Sequence, residues 1–134
     1  MGFLSGMRIK RLNEEQCTVS VPFKWINKNP FKSIFWAAQG MAAELTTGSL
    51  IKNVIKESGV NVSYLVVENK SSFYKKATGK IIFECNQGKE LQDLFNSFDQ
   101  HNNKAIIELK SIGIDSNNIK VSEFSFTWSL KVRS

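Results

Sequence analysis

The sequence predicts an α+β fold in which an antiparallel sheet of about six strands wraps around one long central helix. The predicted elements follow the order strand, strand, long helix, strand, strand, short helix, strand, strand, without the strand–helix–strand rhythm that builds parallel sheets. The long helix, Pro30 to Ser58, is apolar or small over most of its surface, so it must be covered on more than one side. A chain of 134 residues suits a single domain over residues 1–134.

Strands are predicted where apolar and polar residues alternate. Met7 to Leu12 and Cys17 to Val21 form the first two, joined by the polar turn Asn13 to Gln16. The last strand alternates most regularly, and its inward-facing residues are expected to be Phe124, Phe126, Trp128, Leu130 and Val132. This regular period of two indicates a strand with one buried face.

The ends of the long helix carry local signals. Asn29 can cap its first turn, Pro30 suits a position whose N–H would be unpaired, and Gly59 suits the residue after its end. With 100° of rotation per residue, four polar residues of this helix fall on one narrow stripe, which we expect to face solvent. Its members are Gln39, Thr46, Asn53 and Glu57.

The rest of the chain is divided by polar segments. The predicted elements are a strand at Val60 to Val67, a turn at Glu68 to Ser71, a strand at Phe73 to Cys85, a short helix within Asn86 to His101, and a hairpin of Lys104 to Ile114 with Ile119 to Arg133.

Composition narrows the classes of function. The net charge of +6 favours anionic partners, although it is equally compatible with an ordinary basic protein. No nucleic-acid-binding motif accompanies the charge, so no nucleic-acid partner is expected. Cys17 and Cys85 lie in strand-like runs that indicate packing, and with His101 as the one histidine no metal site is expected. No membrane-spanning run or signal peptide is recognised, so the cytoplasm is the expected compartment.

The segment Asn29 to Gly48 resembles the hotdog-fold thioesterase superfamily, and more narrowly its thioesterase-like branch, DUF4442. In the phenylacetate-degradation type of these enzymes, an Asn is followed six residues later by His-Gly-Gly, and an acid lies nine residues beyond that His. Asn29 and Glu44 match the Asn and the acid at this spacing. Phe35-Trp36-Ala37 stands where the family has His-Gly-Gly, so the family groups that hold and polarise the thioester carbonyl are replaced.

The resemblance implies both an assembly and a substrate. The expected assembly is a homodimer or a dimer of dimers (a homotetramer), with Val60 to Val67 pairing with its symmetry mate. The implied substrate is an acyl thioester of coenzyme A or of an acyl carrier, with coenzyme A as part of the substrate and no separate cofactor. A non-catalytic protein that binds fatty acyl chains on the same fold is the alternative.

Glu44, Asn29 and Thr47 are the candidate catalytic residues. Glu44 lies roughly 140° or more from the polar stripe, so we expect it to be shielded at a subunit cleft and to act as base or nucleophile. The alternative is an acid paired to a basic residue at the interface. Thr47 could bind the water or the carboxylate, or bond back to its own helix. Asn29 could bind the thioester or only cap the helix, and Gln39 could be a donor or a surface residue.

Lys70, Phe73, Lys75 and Lys76 are the candidate coenzyme A site. Lysines beside an aromatic ring suit phosphates and an adenine. The same cluster, with Lys80, also fits a solvated strand edge protected by lysines.

Overall fold

The computed structural model describes residues 7–22, 36–77 and 79–133, with the side chains of Trp36 and Ala37 excepted. The strands are β1 (Arg8–Leu12), β2 (Cys17–Val21), β3 (Val62–Phe73), β4 (Ile81–Cys85), β5 (Lys104–Asp115) and β6 (Lys120–Val132). The helices are α1 (Trp36–Ser58) and α2 (Gly88–Asn96). The predicted start of the long helix at Asn29 and Pro30 lies outside the described residues.

The six described strands form one sheet in the order β1-β2-β4-β5-β6-β3, and every pair is antiparallel. The sheet curls around α1, which contacts β1, β2, β4, β5 and β6. The predicted antiparallel sheet around one long helix is therefore confirmed. Its two edge strands, β1 and β3, border the side of α1 that the sheet leaves open.

The core lies between α1 and the concave face of the sheet. The alternation predicted for β6 is confirmed, because Phe124, Phe126, Trp128 and Leu130 are all buried. Small residues let the helix approach these rings: a Cβ built on Gly40 would lie 3.6 Å from Phe124. The helix ends as predicted, since Gly59 has a φ of +73° and its N–H donates to the Ile55 carbonyl at 3.0 Å.

Cys17 and Cys85 are cross-strand partners of β2 and β4, and both are buried free thiols. Burial raises the pKa of Cys17 to about 12, to which the neighbouring Cys85 contributes. Burial likewise raises the pKa of Cys85 to about 11. Both thiols therefore stay protonated at neutral pH, which agrees with the packing role expected from the sequence.

The turn predicted at Glu68 to Ser71 is wrong. These residues continue β3, which pairs with β6 over its whole length and has a bulge between Val66 and Glu68. The chain turns later, and β4 begins only at Ile81. The polar residues of this segment suggest a turn, but β3 is an edge strand whose second half is exposed, so its side chains need not be apolar.

The prediction that the polar stripe of α1 faces solvent is also wrong for its first two members. Gln39 and Thr46 are 4% and 0% exposed, and they face the sheet. The Ser122 hydroxyl donates to Gln39 Oε1 at 2.7 Å, and the Thr46 and Ser111 hydroxyls share a hydrogen bond of 2.8 Å. Small polar residues on the facing strands therefore satisfy these groups, which removes the penalty for burying them.

Candidate functional site

A groove of about 730 Å³ runs along the open side of α1, between the edge strands β1 and β3. Most of its walls are apolar, and several of them are exposed large hydrophobic side chains. Its lining residues include Met41, Glu44, Ser49, Lys52, Lys56 and Trp128. An apolar groove with a few polar groups is the usual form of a site for a small organic ligand.

Glu44 projects from the middle of α1 into this groove, beside Met41 and Leu45. It is the one carboxylate among the described lining residues. In a single chain Glu44 is exposed to solvent. The shielding expected from the helical wheel therefore requires a second copy or a ligand over the groove.

Thr47 is buried behind the groove rather than lining it. Its hydroxyl donates to the Glu44 backbone carbonyl at 2.9 Å and accepts the indole N–H of Trp128 at 3.1 Å. The bond back to the helix is thus present, and no hydrogen bond joins the Thr47 hydroxyl to the Glu44 carboxylate among the described contacts. Thr47 fixes the Trp128 ring, which forms part of the groove wall with Tyr64 at 5.6 Å between ring centroids.

We predict that Thr47→Val destabilises the protein by about 1–3 kcal/mol, because the buried Trp128 N–H loses its acceptor. Thr47→Ser keeps the hydroxyl and should cost less. Urea unfolding of the two variants measures the difference. If both variants unfold like the parent protein, the hydrogen bond to Trp128 does not stabilise the fold.

The expected coenzyme A residues lie elsewhere. Lys70, Phe73, Lys75 and Lys76 are exposed, and none of them lines the groove. Phe73 follows Tyr64 by nine residues along β3, about 30 Å of extended strand.

One lysine of this cluster is already paired. Lys75 Nζ lies 2.5 Å from Asp115 Oδ2, and this hydrogen bond lowers the pKa of the Asp115 carboxyl. The ammonium is therefore partly neutralised by the protein itself. Nearby, Lys120 Nζ lies 4.9 Å from the centre of the Tyr74 ring and 2.6 Å from Glu123.

The other two candidates, Asn29 and Gln39, are not among the described residues that line the groove. Asn29 lies outside the described residues. Gln39, considered as a possible donor, is buried against Ser122 and does not line the groove.

The sequence reasoning missed Lys52, Lys56, Tyr64 and Trp128 as groove residues. The signal for the two lysines was available, because Lys52 follows Glu44 by two helical turns and Lys56 by three. Tyr64 and Trp128 come from β3 and β6, and no local pattern connects them to α1.

Within the described part of the chain, no group of three or more His, Cys, Asp or Glu side chains could hold a metal ion. Among the same residues, neither helix combines the length and the apolar character needed to cross a membrane.

Solved structures of similar shape cover nearly the whole chain. A protein of unknown function from Pseudomonas aeruginosa, described as a probable thioesterase, is 22% identical with a TM-score of 0.86, covering 99% of this chain and 89% of its own. A protein of unknown function from Chlorobaculum tepidum TLS is 16% identical with a TM-score of 0.83, covering 98% and 86%. A mutant of a thioesterase enzyme from Staphylococcus aureus subsp. aureus Mu50 is 13% identical with a TM-score of 0.72, covering 97% of each chain.

At these identities the likeness establishes the fold alone. No curated protein matches the chain. The model of a family described as a domain of unknown function, DUF4442, matches residues 5–130. The chain therefore belongs to the DUF4442 family, and it has the hotdog fold of its thioesterase-like structural neighbours.

Proposed function

We propose that this protein hydrolyses acyl thioesters, with Glu44 as the general base or nucleophile. The observation that carries the proposal is the position of Glu44, the one carboxylate among the described lining residues of a mostly apolar groove of about 730 Å³. The thioesterase descriptions of structural neighbours from Pseudomonas aeruginosa and Staphylococcus aureus support the same class of reaction. An acyl-CoA or an acyl carrier is the proposed substrate.

The chemistry that Glu44 would perform is simple. As a base it takes a proton from water while the water oxygen attacks the carbonyl carbon. The carbon–sulfur bond then breaks, and the protonated Glu44 returns its proton to the leaving thiolate, which releases a carboxylic acid and a thiol. As a nucleophile it attacks the carbonyl carbon, the carbon–sulfur bond breaks to release the thiol, and water then hydrolyses the resulting mixed anhydride to the carboxylic acid and free Glu44. The Ser49 hydroxyl, about 7.5 Å further along α1 than Glu44, lines the same groove and is a candidate donor to the oxyanion.

The proposed active site includes a second copy of the chain. β3 is an edge strand of 12 residues, and a long exposed edge offers unpaired N–H and C=O groups to another strand. Pairing of Val60 to Val67 with its symmetry mate would bring the second chain beside Tyr64, and therefore beside the groove. This arrangement would remove Glu44 from bulk water.

The convex face of the sheet suggests how two such dimers would associate. Ile106, Ser129 and Leu65 form one cross-strand row, in which Ile106 is 70% and Leu65 66% exposed. A row with two lysines flanks it on one side and a row with two glutamates on the other, each about 7 Å away. These rows are Lys104 with Lys131, and Glu108 with Glu68.

The rows are self-complementary. A two-fold axis across the strands at Ile106 would place the lysine row of one copy against the glutamate row of the other, with the apolar rows in contact. A second copy of this chain is therefore the partner that the face fits by charge.

We predict that the protein has at least twice the mass of one chain at micromolar concentration, measured by analytical ultracentrifugation. If the convex face joins two dimers, Ile106→Lys should convert a four-chain species into a two-chain species, because two like charges would face each other. Ile119→Lys is the control, since Ile119 is an exposed residue of the β5–β6 turn, away from this face. A parent protein that remains a single chain would contradict both contacts.

A non-catalytic acyl-binding function is the second candidate. Phe35-Trp36-Ala37 in place of the His-Gly-Gly of related thioesterases favours it, and so do the apolar groove walls.

Hydrolysis of a panel of acyl-CoA esters of increasing chain length, followed by thiol release, tests the first function. Binding of a fluorescent fatty acid tests the second. Release of thiol above the rate without protein supports the hydrolase. Fatty-acid binding without any thiol release overturns it in favour of the binding protein.

A further inference from the structure

We propose that Lys52 and Lys56 form an anchor for the phosphate at the end of a pantetheine arm, whether that arm belongs to coenzyme A or to an acyl carrier. The inference rests on the proposed function, because it places the remainder of the substrate whose thioester lies at Glu44. It assigns phosphate binding to the groove itself, rather than to the lysines near Phe73.

The positions of the two lysines relative to Glu44 support this anchor. Both lysines line the same groove as Glu44 and project from the same helix. At 1.5 Å per residue, Lys52 lies about 12 Å and Lys56 about 18 Å along α1 from Glu44. A pantetheine arm has about 14 bonds from thioester carbon to phosphorus and spans roughly 17 Å when extended, given bond lengths near 1.5 Å. An arm lying in the groove with its carbonyl at Glu44 therefore ends beside these two ammonium groups.

The charges of the two lysines, unpaired among the described residues, also support this anchor. Neither Lys52 nor Lys56 forms an ion pair with another described residue, whereas Lys75 is paired to Asp115 and Lys120 to Glu123. The sequence also gives the two lysines no acidic neighbour three or four residues away on the helix. They are instead four residues from each other, an arrangement of like charges that slightly disfavours a helix by itself. An anion in the groove would relieve this repulsion.

A role in helix stability alone would explain the lysine at position 56 but not the one at position 52. Lys56 lies in the last turn of α1, where a cation interacts favourably with the helix dipole. Lys52 lies a turn earlier, outside the range of that effect, and faces the groove with the exposed Met41. The wall between Glu44 and the lysines is formed by Gly48 and Ser49, which leave room for a narrow chain.

The test compares thioesters of one acyl group with and without phosphate. The same acyl group is presented as its coenzyme A ester, as its phosphopantetheine ester, and as its N-acetylcysteamine ester, which has no phosphate. The double variant Lys52→Ala with Lys56→Ala is compared with the parent protein. Lys89→Ala with Lys110→Ala is the matched control, because it removes two exposed lysines that do not line the groove.

We expect the Lys52 and Lys56 variant to raise KM for both phosphorylated esters about tenfold, with kcat nearly unchanged, because two exposed charge contacts supply uniform binding. KM for the N-acetylcysteamine ester should not change. The effect should diminish at high salt, since screening weakens exposed charge pairs. An effect on the coenzyme A ester alone would place the nucleotide phosphates, rather than the phosphate of the arm, at the anchor and would overturn the inference as stated.

Failure of the inference and failure of the proposed function give different results. If all three esters are hydrolysed and KM is insensitive to the two lysines, the anchor is wrong and the hydrolase function stands. A rise in KM on Lys75→Ala with Lys76→Ala instead would assign the phosphates to the other cluster. If no ester is hydrolysed, the hydrolase function is wrong, and displacement of a fluorescent acyl probe by coenzyme A is then compared between the parent protein and the Lys52 and Lys56 variant. Weaker displacement from the variant supports the anchor, and equal displacement overturns it.

Discussion

Replacing Glu44 with Gln is expected to lower kcat for acyl-CoA hydrolysis by about 10²-fold or more, the usual contribution of a general base. The amide keeps the shape of the side chain but can neither accept the proton of the attacking water nor attack the carbonyl. KM should change little, because the apolar walls of the groove are retained. The free energy of unfolding should change by no more than about 0.5 kcal/mol, since Glu44 is exposed in the single chain.

Glu57→Gln is the control for this experiment. Glu57 is an exposed acid of the same helix, and it does not line the groove. Steady-state thiol release by both variants, together with urea unfolding, separates a catalytic loss from a loss of structure. Full activity of the Glu44 variant would show that the carboxylate has no part in the reaction.

The largest effect on stability is expected from Gly88→Ala. A Cβ at Gly88 would lie 1.9 Å from the Glu14 carbonyl oxygen and 2.5 Å from the Glu15 Cα, both of which are backbone atoms that cannot rotate away. The Gly88 N–H also donates to the Glu15 carbonyl at 2.9 Å, so α2 begins directly on the β1–β2 turn. We expect a loss of about 3 kcal/mol or more, at the upper end of overpacking effects.

Gly40→Ala is the matched control, because it adds the same methyl group to another helix. Its Cβ would lie 3.6 Å from the nearest atom, on the Phe124 side chain, which is an ordinary contact. This variant should be neutral or gain up to about 1 kcal/mol from the higher helix propensity of alanine. Urea unfolding monitored by circular dichroism compares the two. Equal stability of the two variants would contradict the close approach of α2 to the turn.

The candidate site was only partly predictable. Glu44 was proposed because its spacing from Asn29 matches a known pattern, and it does line the groove. Its environment could not be found in this way, because Tyr64 and Trp128 reach the groove from separate strands. Thr47 shows the same limit, since its bond to Trp128 joins residues 81 positions apart.

The sequence alone determined the features that depend on neighbouring residues. The alternation in β6 fixed which side chains are buried, and Gly59 fixed the end of α1 because its positive φ suits glycine. These signals are local, since a strand repeats every two residues and a helix cap involves a few adjacent peptide groups.

Only the tertiary structure decided which partners the polar segments have. Glu68 to Ser71 is strand rather than turn because β6 supplies hydrogen-bonding partners along its whole length. Gln39 and Thr46 are buried because Ser122 and Ser111 lie opposite them. A polar side chain is stable in solvent or in a core that satisfies its hydrogen bonds, and its own sequence neighbourhood does not distinguish these two environments.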